Sequence, residues 1–153
     1  EALQLAADVS LPTWQRAMAY FPQSARRQGE HRHAVAEFGR LSSRTKARIQ
    51  WSVARENRAW YSAKLAREAC HQLGLTDDEL FAPADQSEAV HAAEKAAVAF
   101  ARRLTSKPRQ ITDGDIADLL KHYSTHEVAE VVYVTCLSNS FDRFTEALNL
   151  RCE

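Results

Sequence analysis

Glycine and proline are scarce in this chain, at four residues each in 153. A β-rich or loop-rich protein needs many more turn residues. With abundant Ala, Arg, Glu and Leu, the scarcity predicts an all-α protein. No apolar run reaches the roughly eighteen residues that a membrane-spanning helix needs. The first residues show no charged-then-apolar leader, and a start at Glu1 fits a trimmed chain or a piece of a longer one. No block of one charge sign occurs, and 20 basic residues balance 20 acidic ones. That argues against a nucleic-acid or anionic-membrane partner. The basic pairs Arg26-Arg27 and Arg102-Arg103 read as solvated helix faces.

Cysteine is also sparse. Cys70, Cys136 and Cys152 are an odd number without metal or redox spacing, which predicts reduced thiols and a cytoplasmic setting. If helical throughout, Cys136 and Cys152 lie about 24 Å apart, too far to bridge. Six histidines raise the question of a metal. His31 and His33 point to different helix faces, while Ser124 separates His122 from His126 as a helix cap. No metal and no cofactor are expected.

What is present is a succession of capped amphipathic segments, 45% hydrophobic and long enough for one domain spanning 1–153. A short helix is expected over about Thr13–Tyr20, ended by Pro22, and a longer one over about Gln23–Gly39. Ser42 or Ser43 caps the next, with Ala47, Ile49, Val53 and Ala54 facing the core. A break follows at Asn57, a residue type that tolerates left-handed backbone. Arg58 leaves two alternatives there, an altered turn or a helix that runs through. Gly74 stops the following helix, and Thr76 with Glu79 opens a short one. After a loop at Pro83–Ser87, a helix runs over about Glu88–Leu104 and stops before Pro108. Thr112 with Asp115, and Ser124 with Glu127, cap the last two. The final helix carries Val128, Val131, Val132, Tyr133, Val134, Leu137 and Phe141 on more than one face. Such a helix must be covered on all sides, which predicts a homo-oligomer unless the helices from Gln23 and Glu88 enclose it.

The segment LSSRTKARIQWSVARENRAWYSAKLAREACHQLGL, Leu41 to Leu75, resembles the reactive segment of the carboxymuconolactone decarboxylase and alkylhydroperoxidase D-like (AhpD-like) superfamily. In that family a Leu-Ser-x-Arg helix opening leads through an Asn-Gly-type break into a Cys-x-x-Cys-x-x-x-His helix ending in Gly-Leu. Leu41, Ser42, Arg44, Asn57, Tyr61, Gly74 and Leu75 keep the frame. The cysteine positions fall on Ala59 and Ser62, the histidine on Ala66 and the upstream glutamate on Ala47. The tail is similar in order and spacing, down to Asn139, Arg143 and Phe144. The resemblance implies an AhpD-like helical array, peroxidase-type chemistry and dimers, trimers or hexamers.

This chain lacks the groups for that chemistry. Two thiols three residues apart at a helix N-terminus share a face, and the positive helix end lowers the first thiol's pKa. The thiolate attacks the peroxide, and the second thiol resolves the sulfenic acid. Serine without an adjacent base is a far weaker nucleophile, and alanine is inert. Ala59, Ser62 and Ala66 instead form a stripe of small side chains, suited to a close helix neighbour or to a ligand. Trp60 and Tyr61 complete the candidate pocket. Glu56, Ser62 and His71 are the candidate catalytic set, for acid–base work on a small carbonyl or lactone. Cys70 is too far along the helix to replace the first thiol and is expected to be a buried structural residue. Three functions remain open: a peroxidase-type enzyme, an enzyme of decarboxylase or lyase character, and a non-catalytic oligomer that binds a small molecule or a partner.

Overall fold

The computed structural model describes residues 11–81 and 92–151, which form eight α-helices. They are α1 (Thr13–Ala17), α2 (Pro22–Glu37), α3 (Ser43–Glu56), α4 (Trp60–Gln72), α5 (Asp77–Phe81), α6 (Ala92–Ser106), α7 (Asp113–Leu120) and α8 (Thr125–Ala147). A 3₁₀ turn, Pro108–Gln110, joins α6 to α7. The expected loop at Pro83–Ser87 and the expected start of α6 at Glu88 lie outside the described residues. No helix among the described residues is long and apolar enough to cross a membrane.

The caps explain most helix boundaries. The Ser42 side chain accepts from the Thr45 N–H and starts α3. Reciprocal capping boxes, Thr112 with Asp115 and Ser124 with Glu127, start α7 and α8. Gly74, at φ +79°, takes the left-handed backbone that ends α4. Two boundaries depart from expectation in detail. Pro22 opens α2 at its first position rather than merely ending α1, since a missing N–H costs nothing there. Asn57 keeps a right-handed helical backbone, and the left-handed residue is Arg58, at φ +55°. The helix therefore ends at Asn57 as expected, and of the two alternatives at Arg58 the altered turn is the one found.

Helix α3 is the hub, packing against α2, α4, α6 and α8. Its Ile49 and Val53 join Ala97, Phe100 and Ala101 of α6, Leu119 of α7, and Val128, Val131 and Val134 of α8 in the main core. Its opposite side sets Ala47, Trp51 and Ala54 against Ala63, Ala66 and Cys70 of α4. The apolar stripe of α8 is thus largely covered within one chain, by α3, α4, α6 and α7, with α2 adding Arg32 over Phe141 and His31 against Tyr133. Among the apolar residues named on that helix only Tyr133 stays half exposed, at 50%.

Candidate functional site

The break between α3 and α4 is tied to α8 by side-chain amides and carboxylates. The Asn57 amide donates to the Asn139 carbonyl oxygen at 3.0 Å and to the Asp142 carboxylate at 2.8 Å. Asn139 in turn donates to Thr105 at 2.9 Å, and Arg143 donates back to the Asn139 backbone carbonyl at 3.1 Å. Asp142 is only 2% exposed. It also accepts from the Ser62 hydroxyl, which lies 3.1 Å from the Thr145 hydroxyl. Burial pushes the Asp142 carboxyl above its usual value, opposed by these hydrogen bonds and by the charge of Arg32.

Arg32 reaches into this region from α2. Its guanidinium sits over the Phe141 ring, 3.6 Å from the centroid. Burial lowers its pKa to about 10, with the nearby Asp142 charge acting in the other direction. Between these groups lies a pocket of about 140 Å³, lined by Arg32, Gln50, Ser62, Ala66, Phe141 and Asp142 among others. An apolar cavity of roughly 150 Å³ is enough for one benzene ring.

The predicted pocket stripe is buried. Ala59 is fully covered, and Ser62 and Ala66 are each 6% exposed. Ser62 and Ala66 line the pocket, so this face meets both a helix neighbour and an open space. Tyr61 is buried beside it, and its hydroxyl accepts from the Trp14 N–H at 3.3 Å, holding the start of α1. Trp60 points to solvent, 63% exposed.

Glu56, Ser62 and His71 are not brought together. Glu56 pairs with Arg102 on α6 at 3.1 Å, and the left-handed turn at Arg58 separates it from the α4 face. His71 lies at the far end of α4, bonded to Asp77 at 2.9 Å on the surface. Asp77 also holds Arg67, and the hydrogen bonds from Arg67 and then His71 lower its carboxyl to about 2. Neither Glu56 nor His71 lines the Ser62 pocket. Cys70 is fully buried, and burial raises its thiol to about 12, which suits a structural residue and not a nucleophile. Cys136 is exposed on α8, and Cys152 lies outside the described residues.

Sequence reasoning missed Arg32, Gln50 and Asp142. One signal was available: Asp142 shares a polar strip with Thr135, Ser138, Asn139 and Thr145 on a helix otherwise rich in valine, and polar groups buried there need partners. Arg32 carried no signal, because it sits among exposed charges on α2.

A test of the stripe follows from the pocket. Ala66→Phe has space to grow into, so its expected stability cost is at the low end of the ~1–3 kcal/mol seen for overpacking. Urea unfolding measures it, and a loss above that range means that the ring does not enter the pocket.

No family model matches the sequence, and no curated protein is found to be similar. Solved structures are. The chain is similar to the debrominase Bmp8, without ligand and as a variant in complex with 2,3,4-tribromopyrrole, at 19% identity and a TM-score of 0.83 over 94% of this chain and 78% of that one. It is also similar to an uncharacterized peroxidase-related protein from Silicibacter sp. TM1040, at 18% identity and a TM-score of 0.82 over 92% of this chain and 75% of that one. At such identities the likeness establishes the fold, which is the all-α AhpD-like arrangement that the Leu41–Leu75 segment resembles.

Proposed function

We propose that this chain is a divergent AhpD-like protein that has given up dithiol chemistry and binds a small molecule in the pocket beside Ser62. The observation that carries the reading is that a buried carboxylate, Asp142, and the Arg32 guanidinium share the wall of a pocket next to the former thiol positions. A carboxylate beside position 62 also works against a thiolate there, since like charges in a dry site raise the thiol's pKa. The loss of both cysteines and the presence of Asp142 support the same conclusion. In the similar debrominase a ring-shaped ligand, 2,3,4-tribromopyrrole, is bound, which agrees in scale with a pocket of about 140 Å³.

A second reading is an acid–base enzyme of lyase or decarboxylase type. It is favoured by the raised pKa of Asp142, which makes that carboxylate a stronger base than an exposed one. In this reading the proton carrier is Asp142, not Glu56 or His71. A cytoplasmic setting is supported by the free thiols of Cys70 and Cys136.

The first test is an expected absence of activity. Purified protein should not turn over alkyl hydroperoxides with a dithiol reductant. Turnover that persists after Cys70, Cys136 and Cys152 are changed to serine contradicts the proposal. Self-association is part of the proposal too, with the exposed aromatics Phe38, Trp60 and Tyr133 as its support. Sedimentation at micromolar concentration should give a mass above 17.2 kDa, and a monomer there removes this part.

A further inference from the structure

We propose that the Ser62 pocket selects an uncharged, ring-sized molecule carrying one O–H or N–H donor, and discriminates against anions of the same size. The inference rests on the small-molecule reading above and adds the chemical class of ligand.

Size comes first. A pocket of about 140 Å³ takes one ring and little more. The Phe141 ring and the side chains of Leu65, Ala66 and Ala69 give it an apolar wall. Charge comes next. Arg32 and Asp142 both line the pocket and carry opposite signs. Tyr61, near Arg32, and Glu146, near Asp142, are the other titratable groups that act on the pair. The guanidinium is fixed on the Phe141 face, 3.6 Å from the ring centroid. An incoming anion gains from Arg32 but is opposed by Asp142 and, further out, Glu146. A cation meets the reverse opposition from Arg32. A neutral molecule avoids both penalties, which grow with the depth of the charged group against the buried Asp142.

Hydrogen-bonding capacity then fixes the polar group. The hydroxyl protons in the pocket are already committed: Ser138 donates to the Val134 carbonyl at 2.7 Å, and Ser62 donates to Asp142. Asp142 accepts from Asn57 and Ser62, yet a carboxylate has about four acceptor positions. Unused capacity at Asp142 and Ser138 is therefore for accepting, while the N–H groups of Arg32 and Gln50 on the same wall can donate. A ligand hydroxyl that donates to Asp142 and accepts from Arg32 or Gln50 satisfies both.

Phenol, toluene and benzoate are matched probes for the donor, the bare ring and the anion. Saturation-transfer NMR titration of the full chain should rank phenol first and benzoate last, with phenol at least about tenfold tighter than benzoate. In Asp142→Asn the opposing charge is gone and Arg32 is uncompensated, so benzoate should gain about tenfold. In Ala66→Phe, which fills the space, phenol binding should be lost. Benzoate tighter than phenol in the unaltered protein overturns the selectivity and leaves the small-molecule site standing. An unchanged ranking in Asp142→Asn, with the fold verified by circular dichroism, overturns it as well. If no probe binds, or if phenol binding survives Ala66→Phe, the pocket is not the site and both readings fall.

Discussion

Replacing Lys46 by alanine should lower the unfolding free energy by about 2–4 kcal/mol, and the melting temperature by about 5–15 °C. Lys46 is 2% exposed, and its ammonium lies 3.5 Å from Glu130 of α8 and donates to the Phe38 carbonyl. Glu130 also accepts from the Arg40 N–H at 2.7 Å and the Leu41 N–H at 3.0 Å. Lysine and glutamate together fasten the turn between α2 and α3, where Gly39 sits at φ +113°. A side chain at Gly39 would strike the Glu130 carboxylate, so the close approach requires glycine. Removing one member of a buried ion pair costs roughly 3–5 kcal/mol. The partial exposure of the Glu130 side chain, at 25%, lowers the cost below that range's upper end. Urea unfolding of Lys46→Ala measures the effect, and Lys46→Met, which keeps the apolar stem, should recover part of it. A loss below about 1 kcal/mol would mean that the pair does not hold the turn.

The same cluster has a pH signature. Burial works to raise the Glu130 carboxyl, but the Arg40 and Leu41 N–H groups and the Lys46 charge together hold it below its usual 4.5. A carboxyl lowered in the folded state contributes stability above its unfolded pKa and loses it as pH falls through the folded one. Asp142 has the opposite sign. Its raised carboxyl binds a proton more readily when folded, so its contribution worsens as pH rises from 3.8 toward the folded value.

The sequence made the fold legible wherever local chemistry determined the outcome. Ser42, Thr112, Ser124 and Gly74 announce helix ends through backbone groups within a few residues of themselves, and the structure places the ends there. The small stripe Ala59, Ser62 and Ala66 was legible from the resemblance and is buried. What failed was any inference about which polar residues converge. Glu56, Ser62 and His71 share one stretch of chain, but the turn at Arg58 and the length of α4 send them to three places. Arg32 and Asp142 are 110 positions apart in number and meet only because α2 and α8 flank the same break. Convergence across that distance leaves no local periodicity to read. The predicted apolar excess on α8 was real, but its cover came mainly from α3, whose few apolar residues, Ile49 and Val53 toward α8 and Ala47 and Ala54 toward α4, gave little indication of being the hub.

Phe141→Ala should be the most damaging change at the site, costing about 3–5 kcal/mol. Its side chain is 2% exposed and meets three others. Trp14 approaches edge-on with ring centroids 5.6 Å apart and planes at 84°. Phe144 lies at 6.5 Å, and the Arg32 guanidinium rests on the ring face. Truncation removes the transfer energy of the ring, leaves a cavity that joins the existing pocket, and strips Arg32 of its support. Phe141→Leu separates these contributions. It keeps most of the apolar volume but neither the edge-on contact nor the cation–π contact, so its cost isolates the aromatic part, about 1–2 kcal/mol. Denaturant unfolding of both variants, followed by tryptophan fluorescence, gives the two numbers. Equal costs for alanine and leucine would show that volume is irrelevant and that ring chemistry alone matters. A leucine variant as stable as the original would show that Arg32 does not depend on the ring for its position, and the pocket's charge balance would no longer rest on a guanidinium fixed by Phe141.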